Sequence, residues 1–402
     1  MGEIPKMKNI AVKLTADAER QIASGHPWVF DQSIELEKKK PDPGDLGIVF
    51  SRSDNKFMAV GLMDPEQIIR IRLLHTGDPV KVDQDFFQDR LLESLERRKP
   101  LLDEGIEAFR WVYGENDGFP GLILDVYGAY MVLKLYTSAW VPWLPAIVKA
   151  LSSVRQPKEI VIRLSRKTAQ SNTHSLSDGQ NYFQTSFSGK LIFKEYGVAF
   201  ETDLIKGHKT GFFLDHRQNR RLIQKMSHHK KVLDLFAYTG AFSMHALAGG
   251  ASSVTAVDIS APALKAAEQN YKINAFKRPF HTVTEDVFQY LDEQSQKNPQ
   301  YDLIIVDPPA FAKKRSEKEM AVKAYKRLFL KAMPLLAPSG TILLASCSSR
   351  INRKEFDEVI AQCMSDSPNT WQLIKRTGHD LDHPSGISEL DYLKSSFLRR
   401  FE

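Results

Sequence analysis

The chain has 402 residues, of which 42% are hydrophobic and 26% charged, and these values are typical of globular proteins. Two cysteines, no Cys-x-x-Cys or His-Glu-x-x-His spacing and no apolar run of roughly 18 residues exclude a disulfide framework, the common zinc motifs and a membrane span, so we expect no metal. The net charge is +6, and the whole excess lies in residues 191–402, with 30 basic against 24 acidic side chains. The length predicts two or three domains, and the polar start and cysteine usage predict a protein of the cytoplasm.

Residues 1–75 alternate short apolar runs with turn residues. The runs GHPWVF, PDPGDLGIVF, FMAVGLMDP and IIRIRLL follow one another at a spacing of about ten residues, with proline and glycine between them. This pattern predicts a small all-β domain.

Residues 76–190 mix helical and strand patterns. DQDFFQDRLLESLERRKPLL has its apolar residues at helical spacing, and FRWVYGENDGFPGLILDVYGAYMVLKLY contains two strand-like runs separated by turn residues, which predicts a hairpin. A helical pattern in AWVPWLPAIVKALSSV, a strand in EIVIRL and a loop in SRKTAQSNTHSLSDGQ follow. We therefore predict a second unit of helices and strands.

From about residue 190 onward, strands alternate with helices. The strand patterns are KVLDLF, SVTAVDI, HTVTED, YDLIIVD and TILLASC, and the segments between them, such as SAPALKAAEQNYKINA, are rich in helix formers. Strands separated by helices predict a parallel sheet covered on both faces, which is a doubly wound α/β domain.

The ends of the first three strands predict a nucleotide site. In a doubly wound sheet, ligands bind beyond the carboxyl ends of the strands. Asp234 lies near the first strand end, and the turn after it closes at Gly240; with this single glycine, the turn disfavours the pyrophosphate of a dinucleotide. Asp258, on the next strand, could accept hydrogen bonds from a ribose diol, and Asp286, after the third, could accept one from an adenine amino group.

Each of these aspartates, taken alone, is more simply explained as a helix N-cap or a turn residue. Three in register at successive strand ends favour the nucleotide site instead. A cofactor with a ribose and a base but no pyrophosphate indicates S-adenosylmethionine. Its sulfonium and amino-acid group would lie over the turn from Tyr238 to Gly240, near Asp234.

The fourth and fifth strands predict a reactive pair. Such strands are neighbours in the sheet, so Asp307 at the end of one and Cys347 at the end of the other would face the same crevice. A thiolate there could add to carbon 6 of a pyrimidine and make carbon 5 nucleophilic enough to take a methyl group, while Asp307 hydrogen-bonds the ring edge. The simpler explanation of a free cysteine is core packing. We expect that for Cys363, which shares helical spacing with Phe356 and Ile360.

The segment KKRSEKEMAVKAYKR, residues 313–327, has seven basic side chains and two acidic ones. Such a run is usually a solvated helix face. Because it follows Asp307, it could instead contact the phosphates of a nucleic acid, with Lys313, Lys314 and Arg315 as the expected contacts.

Five stretches resemble the RlmI-type ribosomal RNA cytosine-5 methyltransferases and occur in the same order: KGHKTGFFLDHRQNRR, VLDLFAYTGAFSMHALAGGASSVTAVDIS, DPPAF, SCS and DHPSGISELDYLK. SGHPWVF and GENDGFPGLILDVYG are similar to that family's N-terminal and central domains. The resemblance implies an α/β protein with a small all-β PUA domain over residues 1–75, a small α+β domain over 76–190 and a Rossmann-like class I methyltransferase domain over 191–402.

The resemblance also implies functional roles. S-adenosylmethionine would be the methyl donor and a cytosine of large-subunit ribosomal RNA the acceptor, with Cys347 as nucleophile and Asp307 as the base-binding acid. Pro308 and Phe311 would lie on the substrate side. The cofactor would be held by the residues that match the family's cofactor motifs: Asp234, Tyr238, Gly240, Asp258 and Asp286. From GFFLDHR, the residues Phe213, Asp215 and Arg217 should face the site, Asp215 toward the cofactor and Arg217 toward the substrate.

Two other functions remain open at this point. Without the thiol, Asp307 and its prolines suit an N-methyltransferase that acts on guanine or adenine in RNA. A non-catalytic RNA-binding ribosome-assembly factor is the other alternative, but a vestigial site has no physical need for several costly carboxylates. Replacing Cys347 separates the cytosine-5 mechanism from the N-methyltransferase. The sequence allows a homodimer without specifying one.

Overall fold

The computed structural model of the chain describes residues 7–297, 299–312, 314–387 and 390–401. These residues form two compact units. The first comprises the described part of residues 1–191 together with Thr202–Phe212, and the second comprises Ile192–Glu201 and the described residues from Phe213 onward. Two of the predicted domains, 1–75 and 76–190, fall within the first unit, and the boundary between them stays a prediction.

A six-stranded sheet occupies the N-terminal part of the first unit. Its strands are β1 (Asn9–Leu14), β2 (Trp28–Phe30), β3 (Ile34–Glu37), β4 (Leu46–Phe50), β5 (Phe57–Met63) and β6 (Ile69–Thr76). They lie in the order β2-β6-β5-β4-β1-β3, and β1 runs parallel to β4 whereas the other neighbours are antiparallel. The sequence predicted only strands here, but residues after β1 form a helix, α1 (Ala16–Ala23), because the Thr15 hydroxyl caps it by accepting from Ala18 N at 3.3 Å.

A five-stranded sheet with three helices forms the rest of the first unit. The strands are β7 (Ala108–Tyr113), β8 (Leu122–Tyr127), β9 (Tyr130–Leu135), β10 (Glu159–Leu164) and β11 (Gln180–Asn181), and the helices are α2 (Gln84–Asp103), α3 (Leu144–Val154) and α4 (Arg166–Ala169). The predicted hairpin is in fact a three-stranded antiparallel meander, β7-β8-β9. Gly128, at φ +62°, turns the chain tightly enough between β8 and β9 for the third strand to pair.

After the hairpin β12 (Lys190–Glu195) and β13 (Val198–Asp203), strands and helices alternate along the second unit, as predicted. The strands are β14 (Lys231–Leu235), β15 (Ser253–Asp258), β16 (Phe280–Thr284), β17 (Tyr301–Val306), β18 (Leu336–Ser346), β19 (Trp371–Thr377) and β20 (Lys394–Arg400). The helices are α5 (Arg217–Met226), α6 (Ala241–Ala248), α7 (Ala261–Ile273), α8 (Val287–Lys297), α9 (Lys318–Ala332) and α10 (Arg353–Asp366).

The sheet of the second unit has seven strands in the order β16-β15-β14-β17-β18-β20-β19. The strands from β14 to β18 are parallel, as expected, but β20 is antiparallel to both of its neighbours, so the prediction of an all-parallel sheet is wrong at this edge. The chain runs outward from β14 to β16 and then returns to place β17 on the other side of β14. This reversal creates a switch point at the carboxyl ends of β14 and β17, where doubly wound sheets bind their ligands.

The core of the second unit consists of apolar strand residues packed against α8, α9 and α10. Cys363, on α10, is fully buried in it beside Phe356 and Ile360, which confirms the prediction that this thiol serves packing. Among the residues that the structure describes, no helix is long and apolar enough to cross a membrane.

Candidate active site

The turn after β14 has an unusual backbone. Phe236, Tyr238 and Gly240 have positive φ angles of 61°, 49° and 74°. Non-glycine residues rarely adopt such angles, and strained turns of this kind cluster at functional sites. A Cβ atom at Gly240 would lie 2.8 Å from Ala267 Cβ, so only glycine fits where α6 begins against α7. The single glycine that the sequence analysis noted is therefore required by close packing as well as by its φ angle.

Asp234, near the end of β14, is a buried carboxylate with an unsatisfied oxygen. Its side chain accepts hydrogen bonds from the backbone N of Ser243 at 3.0 Å and from the Ser243 hydroxyl at 2.6 Å, both through Oδ2. The residue is 1% exposed, and Oδ1 has no hydrogen-bond partner among the described residues. Burial raises the pKa of Asp234 to about 7, and repulsion from Asp307 and Asp258 adds to this effect. A ligand cation beside Oδ1 would interact with this oxygen and would stabilise the charged form of the carboxylate.

Asp258 ends β15 and supports the same turn. Its two oxygens accept backbone hydrogen bonds from Tyr238 and Ser260, each at 2.8 Å, and each oxygen keeps a further lone pair for a ribose hydroxyl. The next residue, Ile259, is 71% exposed. A large apolar side chain beside this carboxylate offers a surface on which a base can pack. Ile259 was not predicted as a site residue, although its place directly after Asp258 could have identified it.

Asp286, after β16, caps the helix that follows. Its Oδ1 accepts from Phe288 N at 2.9 Å and from Gln289 N at 3.2 Å, so the simpler role weighed in the sequence analysis is present here. An additional contact with an adenine amino group stays a prediction.

These residues fit S-adenosylmethionine. A cationic group of the cofactor would stabilise the buried Asp234 carboxylate, and the Asp258 carboxylate can accept hydrogen bonds from ribose hydroxyl groups. Phe213 closes the same turn, with its ring centroid 5.3 Å from that of Tyr238 in an edge-to-face arrangement. Within the described residues, no group of three or more histidine, cysteine, aspartate or glutamate side chains could hold a metal ion.

The structure brings Cys347 and the Asp307-Pro308 turn together. β17 and β18 are paired in parallel with Val306 opposite Leu344, so their ends lie side by side. The Cys347 thiol donates to the carbonyl oxygen of Pro308 across 3.7 Å. Cys347 is partly buried and the Asp307 side chain is 24% exposed, so neither side chain is fully enclosed. The charge of Asp307 also raises the pKa of Asp234, so these two carboxylates lie near each other.

His216 faces Asp307 and was missed by the sequence analysis, although it lies inside the noted GFFLDHR motif. Its Nε2 is 3.2 Å from Asp307 Oδ1, outside the alignment of a regular hydrogen bond but in direct contact. Its Nδ1 lies 3.0 Å from Asn219 Nδ2, and Asn219 Oδ1 accepts from the Thr377 hydroxyl at 2.6 Å. With the amide in that orientation, Nδ1 accepts and the proton is on Nε2, pointing toward the carboxylate.

Arg217 has a different position from the one expected, whereas the expected contact of Asp215 with the cofactor stays a prediction. Asp215 is buried and accepts from the Tyr392 hydroxyl at 2.7 Å. Arg217 is 0% exposed and forms ion pairs with Asp380 at 3.0 Å and Asp382 at 2.7 Å. Although burial alone lowers the pKa of an arginine, these carboxylates raise the pKa of Arg217 above its ordinary value. With no exposed surface, Arg217 cannot contact a substrate in this structure, and it holds the segment after β19 in place instead.

The basic segment after β17 is divided between surface and packing roles. Phe311 is partly buried, with its ring centroid 4.7 Å from that of Tyr325 on α9, so it supports the turn as much as it faces a substrate. Lys314 and Arg315 are exposed, whereas Lys318 and Lys326 form ion pairs with Glu355 and Asp366. Lys313 lies outside the described residues.

Comparisons with known proteins identify the family of the chain. Residues 179–377 match a family of S-adenosylmethionine-dependent methyltransferases, and residues 12–76 match PUA-like domains. The ribosomal RNA large subunit methyltransferase of Deinococcus radiodurans is 38% identical over 397 residues, covering 97% of both chains. The ribosomal RNA large subunit methyltransferase I of Aeromonas salmonicida is 31% identical over 395 residues, covering 97% of this chain and 99% of its own.

The fold is also similar to that of a solved structure. SMU.776, a protein assigned to the methyltransferases and crystallised with SAH, superposes with a TM-score of 0.81 at 21% identity, over 98% of this chain and 100% of its own. The matched domains and the relatives confirm the resemblance to the RlmI-type family that was read from the sequence motifs. The chain belongs to the family of S-adenosylmethionine-dependent methyltransferases that includes the ribosomal RNA large subunit methyltransferases I.

Proposed function

We propose that this chain methylates carbon 5 of a cytosine in large-subunit ribosomal RNA through a covalent bond between Cys347 and carbon 6. The observation that carries the proposal is the Cys347 thiol beside the Asp307-Pro308 turn, 3.7 Å from the Pro308 carbonyl oxygen. As a member of its family, the chain uses S-adenosylmethionine as methyl donor. The names of its relatives support large-subunit ribosomal RNA as the acceptor.

The chemistry follows from the properties of the pyrimidine ring. Carbon 5 of cytosine is a poor nucleophile until the Cys347 thiolate adds to carbon 6, because the new carbon–sulfur bond moves an electron pair toward carbon 5. Asp307 orients the ring by hydrogen-bonding its edge, and His216 holds that carboxylate toward the crevice. S-adenosylmethionine, when bound, would supply the methyl group to carbon 5 and leave as S-adenosylhomocysteine. A base then removes the carbon 5 proton, and the electron pair of that bond restores the double bond between carbons 5 and 6 as the carbon–sulfur bond breaks, which releases the thiolate and 5-methylcytosine.

Two features support RNA as the partner. Residues 12–76 match PUA-like domains, and because residues 1–75 carry no net charge, RNA recognition there would rely on shape and stacking. On the catalytic unit, the exposed Lys314 and Arg315 lie in the segment after Asp307 and Pro308, a few residues further along the chain. Side chains so placed can neutralise phosphates on either side of a base held at Asp307.

The test is single-turnover transfer of labelled methyl groups to ribosomal RNA from cells that lack the enzyme, followed by digestion to nucleosides. Wild type should place label in 5-methylcytidine, and Cys347→Ala should lose it entirely. Cys363→Ala is the matched control, because the same change at a buried core thiol should leave transfer intact. RNA containing 5-fluorocytidine should form a denaturation-resistant adduct with wild type alone, since fluorine at carbon 5 blocks the final elimination.

Other outcomes favour the alternatives. Label in a methylated guanosine or adenosine, with Cys347→Ala fully active, would assign Asp307 and its prolines to an N-methyltransferase. Tight RNA binding without label in any nucleoside would indicate a non-catalytic assembly factor.

A further inference from the structure

A buried lysine lies beside the turn that carries Cys347. Lys394, the first residue of β20, is 1% exposed and is paired with Ser346 across the antiparallel ladder. Its Nζ donates to the carbonyl oxygen of Ser348 at 2.6 Å. The lysine thus contacts the chain on both sides of the cysteine, once through its backbone pairing and once through its ammonium group. It is the last residue of the stretch DHPSGISELDYLK, and the proposed chemistry assigns it no role.

A buried ammonium is costly unless nearby groups favour its charge. Asp391, just before β20, and Glu355, on α10, are the acidic groups that act on Lys394, whereas Arg353, on α10, opposes it. His379 also lies close enough to be affected by Lys394. Burial lowers the pKa of Lys394 to about 8, and a negative charge on Cys347 works in the opposite direction. The Cys347 thiolate is therefore one of the few groups that can stabilise this charge.

We propose that Lys394 is a positioning residue for Cys347: its ammonium group fixes the turn from Ser346 to Ser348 and stabilises the Cys347 thiolate. This inference rests on the proposed role of Cys347 as nucleophile. A cation beside a thiol favours the thiolate, which is the attacking form. The same cation assists the last step, because the thiolate is also the leaving group when the bond to carbon 6 breaks.

The test needs no RNA. In a Cys363→Ala background Cys347 is the single thiol, and its rate of alkylation by iodoacetamide is measured from pH 5 to pH 10. The midpoint for the parent protein should lie below the ordinary thiol value of about 8.5. Lys394→Met should raise the midpoint by about one unit or more, and Lys394→Arg should restore it. Lys375→Met, the same change at an exposed site on the neighbouring strand β19, should leave the midpoint unchanged.

Two results would overturn the inference. One is a midpoint at or above about 8.5 in the parent protein, which requires no Lys394 variant to fold. The other is an unchanged midpoint in a folded Lys394→Met protein. The outcomes separate from those of the proposed function: a low midpoint without 5-methylcytidine would contradict only the cytosine reaction. Conversely, 5-methylcytidine formed by a thiol that is indifferent to Lys394 would contradict only the positioning role.

Discussion

Asp234 provides a stringent test of the cofactor site, because its carboxylate is held in an environment that disfavours its charge. The residue is almost fully buried, one of its oxygens has no partner among the described residues, and burial raises its pKa to about 7. Asp234→Asn removes the charge and keeps an oxygen that can accept from the Ser243 backbone and hydroxyl. We expect the variant to be more stable than wild type without cofactor and to bind the cofactor more weakly.

The size and sign of the expected stability difference follow from the linkage between protonation and folding. A carboxyl group whose folded pKa is about 7 and whose unfolded pKa is near 3.8 destabilises the fold progressively as the pH rises between those values. Each unit of pKa difference between the folded and unfolded states corresponds to about 1.4 kcal/mol, so the shift from 3.8 to about 7 lowers the free energy of unfolding by about 4 kcal/mol at high pH. Between pH 5 and pH 8, the advantage of Asp234→Asn in the free energy of unfolding should therefore grow by about 3 kcal/mol and level off above pH 7.

Urea unfolding of the cofactor-free protein at pH 5 and pH 8 measures this difference. Asp366→Asn is the control, because it removes only a solvent-screened ion pair with Lys326 at the surface. At pH 8, S-adenosylmethionine should bind Asp234→Asn about 10- to 100-fold more weakly by calorimetry, which corresponds to the removal of one charged hydrogen bond. Two results would contradict this prediction. One is a stability difference between Asp234→Asn and wild type that is the same at both pH values, and the other is unweakened binding of S-adenosylmethionine to the variant.

Two further predictions concern the turn and the basic segment. Gly240→Ala should destabilise the fold by about 1–3 kcal/mol in thermal melts, because of the positive φ angle and the 2.8 Å approach of the new Cβ atom to Ala267. Gly197→Ala is the control, since Gly197 has a φ angle of +82° but open space around it, and it should destabilise the fold less. Equal destabilisation by the two changes would argue against the packing explanation. Replacing Lys314 and Arg315 with glutamine should reduce the slope of log affinity for ribosomal RNA against log salt by about one for each phosphate that is no longer neutralised. A slope identical to that of wild type would exclude these two side chains as phosphate ligands.

The parts of the fold that the sequence predicted are those governed by local patterns. The alternation of apolar runs and helix formers identified the strands from β14 to β18, and the aspartates at their ends identified the edge where the site lies. Asp234, Asp258 and Cys347 could be found in this way because a carboxylate or thiol at or near the end of a buried strand is conspicuous. The order β16-β15-β14-β17-β18 brings these strand ends to one edge of the sheet.

The parts that the sequence did not predict depend on contacts between distant segments. Arg217 was expected to face the substrate, but its partners Asp380 and Asp382 lie 163 and 165 residues further along the chain. His216 contacts Asp307, and Lys394 contacts Ser348, in both cases more than 40 positions away in the chain. The periodicity of a sequence does not indicate pairs of this kind. The strand β20 was missed because a buried Lys-Ser-Ser start does not resemble an apolar run.

The placement of β20 has a consequence for biosynthesis. Ribosomes release a chain from its N-terminal side, and β20 follows every other strand of its sheet yet is inserted between β18 and β19. Until residues 394–400 have emerged, β18 has an unpaired edge and the turn at Cys347 lacks the lysine that fixes it. A nascent chain in which β18 has formed but residues 394–400 have not emerged would thus expose an unpaired strand edge. Pausing in that interval should therefore favour aggregation of this protein more than pausing after residues 394–400 have emerged.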